Sequence, residues 1–422
     1  MRIVMVLGAS LCPVVLHAAE AAPAPERPAA AEDPSASSSA AAASPETDAA
    51  LLREIQAATA PPVGAAVLPD LSATPPPPLT TVPARPASGI GPSSTYNPAM
   101  SANGLFQGAL TSNRRPSDGG LQTALAIQEL ELQLLTHIDP YFAANLILSL
   151  PEGEGIGAEE AYVTPSAQPF GLQARIGKLK LPFGRENALH THALPFVDKS
   201  LVGAAVFGAE GLAEIGVELS WLLPLPWYAV LYGAVVNGDN PVELAAAEQY
   251  AMASFAALKH VFDLSDDATL EAGASFAGGK NANAEWAQVG GGHLVFKWRP
   301  ARQAAEREAI VMVEALYATR PNDARVLGLY GRDQSIGGAY AYAQWRLAPR
   351  WYTAARYDYL GYPSAARGIT RRASAILVFA PSEFSALRLE VRDTLPPFHA
   401  EPIYEGLLQL NFTLGAHPAH TY

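Results

Sequence analysis

The sequence predicts an all-β fold, an antiparallel barrel of about sixteen strands that crosses a membrane, and three observations predict it. The first is alternation. In the segment EIGVELSW, Ile215, Val217, Leu219 and Trp221 alternate with Glu214, Gly216, Glu218 and Ser220, a period of two that gives a strand one apolar and one polar face. The second is the distribution of apolar residues. They make up 49% of the chain and charged residues 16%, yet after the amino terminus there is no uninterrupted apolar run of the length a transmembrane helix needs. The third is that short and long connections alternate along the chain, as they do where strands are joined by tight turns on one side of a membrane and by loops on the other.

At the start, MRIVMVLGASLCPVVLHAAEA carries Arg2, an apolar run from Ile3 to Leu16 and an Ala19-Glu20-Ala21 site, so residues 1–21 are expected to be a signal peptide. Residues 22–94 are rich in Ala, Pro and Ser, with proline at each position from Pro75 to Pro78. This composition buries too little apolar surface to offset the entropy of ordering and reads as an extended periplasmic linker. Within it, Leu51, Leu52, Ile55 and Ala58 have helical spacing, which suits a short and marginal helix over Glu46–Thr59.

The barrel is expected over residues 95–422. Strands are read at Met100–Leu110, Leu125–Thr136, Tyr141–Leu150, Glu159–Thr164, Phe170–Leu181, Gly211–Leu222, Trp227–Val236 and Tyr250–Phe262. Further strands follow at Thr269–Ala277, Trp286–Trp298, Glu308–Thr319, Gly337–Leu347, Trp351–Tyr359, Thr370–Phe379, Phe384–Arg392 and Tyr404–Leu414. Short links such as HIDP, LPLP and APR fall between longer ones such as SNRRPSDGG, NGDNPVELAAAE and GYPSAARG; RPARQAAER is the one long link on the short side. With these directions Trp221, Trp227, Trp298, Trp345 and Trp351 share the periplasmic level and Trp286 lies at the other end. That distribution is expected of indole rings at a headgroup boundary.

The connection between the fifth and sixth strands is about thirty residues long and carries Leu189, Leu194, Phe196, Val197, Leu201, Val202, Val206 and Phe207. So apolar a segment needs a packing partner, so it is expected to fold back into the lumen and narrow it. Alternation then assigns a polar lumen face with Glu129, Glu131, His293, Lys297, Arg346, Arg356 and Arg388 pointing inward. In the fifth strand Arg175, Lys178 and Lys180 cannot share a face without a slip, so a bulge is expected at Gly177 to line all three along the wall. Together with Arg185 and Lys199 of the loop they are the expected anion contacts, balanced by Glu214 and Glu218.

Other chemistry has less support. The formal net charge of −12, with no basic cluster, disfavours a nucleic-acid partner. Cys12, the sole cysteine, lies in the expected signal peptide, and no nucleophile elbow, phosphate loop or metalloprotease motif is present, so neither an enzyme nor a cofactor is expected. His190 and His192 form a His-x-His that could hold a metal, with His417 and His420 as conceivable partners. Spacing supplies no third ligand, and the reading adopted is no metal, with histidines hydrogen-bonded in a packed loop.

The run GKLKLPFGRENALHTHALPFVDKSLV, then FGAEGLAEIGVELSW, RLAPRWYTAARYDYLG, PSEFSALRLEV, the closing LLQLNFTLGAHPAH and the opening NPAMSANGLFQGAL resemble the family of phosphate-selective porins O and P. They resemble especially its plugless members, labelled TonB-dependent or zinc-regulated receptors. The resemblance implies a sixteen-stranded barrel, commonly trimeric, that passes small solutes. It does not carry phosphate specificity with it, because the loop has only Arg185 and Lys199 beside its acidic groups where phosphate-selective members look built around an arginine ladder. The expected function is passive diffusion of small hydrophilic solutes or ions across an outer membrane, by a homotrimer seated in lipid. The alternatives are a substrate-specific channel or receptor for an oxyanion or metal chelate, and a non-conducting anchor.

Overall fold

The computed structural model describes residues 98–415 apart from 114–122, 151–154, 241, 245–250, 304–305, 321–334, 363–367 and 398–400. The expected signal peptide, the linker with its short helix, and His417 and His420 lie outside the described residues.

The described residues form sixteen strands: β1 (Ala99–Thr111), β2 (Ala124–His137), β3 (Phe142–Leu150), β4 (Gly157–Pro165), β5 (Leu172–Lys180), β6 (Ala213–Leu222), β7 (Tyr228–Val236) and β8 (Ala253–Ser265). They continue as β9 (Ala268–Lys280), β10 (Trp286–Trp298), β11 (Ala309–Thr319), β12 (Ser335–Ala348), β13 (Trp351–Tyr362), β14 (Thr370–Ser382), β15 (Ser385–Leu395) and β16 (Ile403–Gly415). Each pairs antiparallel with its sequence neighbours, and β1 closes on β16 from Ser101↔Gly415 to Thr111↔Glu405, giving a closed barrel. Closure leaves no edge, so every strand's backbone groups can be satisfied by a neighbour, which is the condition for spanning hydrocarbon with strands.

The expected strands all occur, and most ends agree within one to three residues; the tenth coincides at both ends. Alternation fixes their faces. In β6 Glu214, Glu218 and Ser220 are buried while Ile215, Val217, Leu219 and Trp221 are exposed on the outside. An outward face of this kind, repeated at Leu387, Leu389 and Val391 of β15, suits lipid, whereas charge there would cost a few kcal/mol per group near mid-bilayer. An aromatic level at the strand ends joined by short turns is also present. Trp298 stacks on Trp345 at 5.7 Å, Trp227 packs beside Phe262 at 5.8 Å, and Trp351 lies 4.7 Å from Phe379.

Between β5 and β6 the chain enters the lumen. It contains a 3₁₀ turn over Thr191–Ala193 and one short helix, α1 (Leu201–Phe207), whose first turn is capped by Ser200 accepting from the Gly203 amide. Entry requires Gly184. Its φ is +64°, and a Cβ there would fall inside the Glu314 carboxylate, which accepts from the amides of Arg185 and Glu186 at 3.1 and 3.0 Å.

Two expectations are corrected by this architecture. The lumen face is not polar all round: Tyr232, Ala234, Phe255, Val289, Met312 and Leu316 of β7, β8, β10 and β11 point inward and are buried against Phe183, Phe196, Val206 and Phe207 of the loop. The apolar loop demands that partner, and this sector of wall supplies it. The bulge expected at Gly177 is also absent from the β5–β6 pairing, which runs unshifted from Leu172↔Trp221 to Lys180↔Ala213. Gly177 instead takes φ +136° where a Cβ would meet the Ala161 carbonyl. The irregularity nearby lies between β3 and β4, where the register steps from Ile147↔Glu160 to Leu148↔Ala158.

Candidate functional site: a lumen crossed by its own loop

One side of the loop makes a dry seam. Phe196 is fully buried with its ring edge-on to Tyr340 and Tyr342 at 5.8 and 5.7 Å, and the Arg356 guanidinium sits 4.4 Å over its face. Phe183 meets Phe207 edge-on at 5.0 Å and Phe255 at 6.3 Å. Side chains so buried anchor the segment by the hydrophobic effect, roughly 2 kcal/mol for each large group.

The opposite side is tied by charge and hydrogen bonds. Asp198, at the far reach of the loop, accepts from Arg356 at 3.0 Å and Arg392 at 2.6 Å, with Arg372 at 3.5 Å. Arg356 also donates to the Asp198 carbonyl and to Asp358 Oδ2. Burial alone would raise the Asp198 carboxyl, but Arg392, Arg356 and Arg372 outweigh it and hold the group well below the usual carboxylate range. The Val197 carbonyl accepts from Gln128 at 2.9 Å, the Leu201 amide donates to Asp358, and Asn411 donates to the His192 carbonyl. These partners lie on β2, β13 and β16, so the loop bridges opposing walls.

The other expected site residues divide among several places. Arg175 makes a bidentate pair with Glu218, at 2.9 and 2.7 Å, and stacks over Tyr162. Lys180 pairs with Glu159 at 2.5 Å, whereas Lys178 sits opposite outward Ile215 and donates to the Ala158 carbonyl, apart from the other two. Among the described residues Glu214 forms no ion pair. It accepts from the amides of Gly238, Asp239 and Asn240 and so shapes the next outer loop. Arg185 faces Glu271 at 3.8 Å, Arg346 pairs with Glu308 at 2.6 Å, and Arg388 donates to Gln409 at 2.9 Å.

Lys199 lies beside Asn187 and Gly211, and its Nζ is buried without a hydrogen-bond partner among the described residues. Burial, and then Lys180 nearby, push it down to about 8. Glu186, which shares a small void of about 10 Å³ with Lys199 and Glu314, is pushed up to about 7 by burial and then by Glu314.

His190 and His192 are stacked at 5.8 Å and face Glu131, Glu159 and Glu160 of the wall. Sequence reading missed Lys259, Glu271 and Glu314, which face the lumen from strands whose alternation is diluted by Ala and Gly. Among the described residues neither Lys259 nor Lys297 forms an ion pair, and both remain partly exposed. In chemical terms the site is a mixed-charge passage, with cations and carboxylates interleaved and a loop held across it.

No family model matches the chain. An uncharacterized protein of Aquifex aeolicus (strain VF5) is 29% identical over 336 residues, which cover 69% of this chain and 69% of that protein. Among solved structures the chain is similar to an anion-selective porin from Comamonas acidovorans, with a TM-score of 0.52 at 10% identity, covering 75% of this chain and 100% of that one. It is also similar to a loop L8 deletion mutant of OmpT, an outer membrane protein of Vibrio cholerae, with a TM-score of 0.51 at 7% identity, covering 76% and 100%. The barrel therefore has the fold of known outer-membrane porins.

Proposed function

We propose that the chain is an outer-membrane porin through which small hydrophilic solutes and ions diffuse, sieved by the loop over Gly184–Gly211. The observation that carries this reading is a closed sixteen-strand barrel, apolar outside, whose longest described connection is folded inward and fastened across the lumen. The mixture of Arg175, Arg185, Lys259, Lys297 and Arg346 with Glu218, Glu271 and Glu308 along the wall supports weak ion preference, since a strong one needs rings of a single sign. The motifs that resemble phosphate-selective porins O and P support kinship with that family, and a homotrimer is the assembly the resemblance suggests.

The test is electrical. The detergent-refolded chain, added to a planar bilayer under a salt gradient, is expected to give discrete conductance steps with a small reversal potential. Marked anion preference would favour the substrate-specific alternative, and a folded, inserted protein without conductance would overturn the channel reading in favour of an anchor.

A further inference from the structure

The wall beside the loop holds a second constellation that a diffusion path does not require. Glu129 and Glu131 of β2 and Glu159 and Glu160 of β4, each 8% exposed or less, converge on His190 and His192 of the loop and on Lys180. Both glutamates of β4 reach it because of the register step between Ile147 and Leu148. With neutral imidazoles this is four carboxylates against one ammonium, a buried excess of negative charge that is costly to leave uncompensated.

The geometry specifies what would compensate it. Glu160 Oε2 lies 3.3 Å from His190 Nε2, so that in the neutral ring a proton on Nε2 leaves the Nδ1 lone pair facing the other way. That Nδ1 lies 3.1 Å from Glu159 Oε1 and 3.5 Å from Glu131 Oε2, and His192 Nδ1 lies 3.2 Å from the same Glu131 oxygen. With neutral rings, an imidazole Nδ1 lone pair against a carboxylate oxygen sets lone pair against lone pair. Ligand atoms around a tetrahedral ion with bonds of about 2.0–2.1 Å stand about 3.3 Å apart, which matches the spacing between each imidazole Nδ1 and the carboxylate oxygens facing it. In addition, Glu129 Oε2, Glu131 Oε2 and Glu159 Oε2 are buried and accept no hydrogen bond from any described residue.

We propose that these residues bind one divalent transition-metal ion of the zinc class at Glu131, the carboxylate shared by two overlapping triads, Glu129–Glu131–His192 and Glu131–Glu159–His190. An imidazole with carboxylates suits zinc or cobalt, whereas calcium and magnesium take all-oxygen shells. Glu160 is the outer partner that holds the His190 ring and its tautomer. The histidines belong to the loop and the carboxylates to β2 and β4, so the ion fastens the Thr191–Ala193 turn to the wall. The third ligand that sequence spacing did not supply comes from strands that are far away in sequence and adjacent in space. The inference stands apart from the porin reading, because a silent barrel would bind the ion equally well.

The test uses the untagged full chain, refolded in detergent, stripped with chelator and titrated with cobalt(II) chloride at neutral pH while visible absorption is followed, then back-titrated with zinc chloride. One equivalent of cobalt is expected, with the intense bands of a four-coordinate ion, displaced by zinc. Zinc should also raise the midpoint of thermal unfolding, as a ligand of the folded state must. Glu131→Gln and His192→Ala should each weaken binding at least tenfold, and the double variant His417→Ala/His420→Ala should leave it unchanged. If Glu131→Gln fails to fold, Glu160→Gln replaces it, with a loss of about 10- to 100-fold expected for an outer partner. Absence of saturable binding to the folded wild type overturns the proposal. So does binding that survives the β2 and loop substitutions or that disappears with His417 and His420.

Discussion

Asp198 shows how a single carboxylate can decide where a loop lies. It gathers Arg356, Arg372 and Arg392, three cations that stand side by side on the adjacent strands β13, β14 and β15. Removing one partner of a buried pair costs about 3–5 kcal/mol, and because about a third of the Asp198 side chain is exposed, Asp198→Asn is expected to cost roughly 1–3 kcal/mol. The thermal midpoint in detergent should fall and single-channel current should grow noisier. An unchanged midpoint and a quiet open channel would show that the apolar seam alone holds the loop. The pH sense follows from the depressed carboxyl. Its stabilising effect is present above the unfolded value of about 3.9 and is lost only as pH falls through the lower folded value, so added current noise should be confined to strong acid.

Lys199 has the opposite sign. Its folded value of about 8 lies below the unfolded value of about 10.4, so the unfolded chain holds the extra proton between them and stability rises with pH over that window. Lys180, Glu186, Glu210 and Glu159 are the charges that face it. Lys199→Met removes the buried ammonium and should be more stable than wild type at neutral pH, with the difference shrinking between about pH 8 and 10. A difference that is flat with pH in melting experiments would contradict this assignment.

At the scale of elements, the loop and the inner face of β7–β12 are one packing unit. Phe196→Ala, which empties the space between Tyr340, Tyr342 and Arg356, should cost roughly 3–5 kcal/mol of loop docking and raise conductance, read from melting and from single-channel steps. The strands were legible because period-two alternation survives wherever one face meets lipid, and β10 was read to its exact ends from Trp286 and Trp298. The seam was not legible, because inward Tyr232, Phe255 and Met312 are as apolar as an outward face and only their partner in the loop tells the two apart. Nor was the pairing of Asp198 legible, since its arginines lie 158 to 194 residues further along the chain, a separation no spacing rule spans. At β4 the register step defeats alternation outright, which is why Glu159 and Glu160 came as a pair only with the structure.

For the whole molecule, barrel closure and loop capture are separate achievements. The sixteen strands close through β1 and β16 without help from the loop, so variants that loosen the loop should still insert and still migrate as folded barrels. Removing residues 22–93, the expected linker, should leave conductance intact if the barrel is the working part. Loss of all conductance in an inserted, folded deletion variant would assign the linker a role in the channel. The measurement that tests the account most directly is single-channel recording of the refolded full chain beside Phe196→Ala in the same bilayer. Discrete steps with weak ion preference for the wild type, and larger steps for the variant, are what a channel narrowed by its own docked loop predicts. Silence from both, with folded protein present in the membrane, would contradict it.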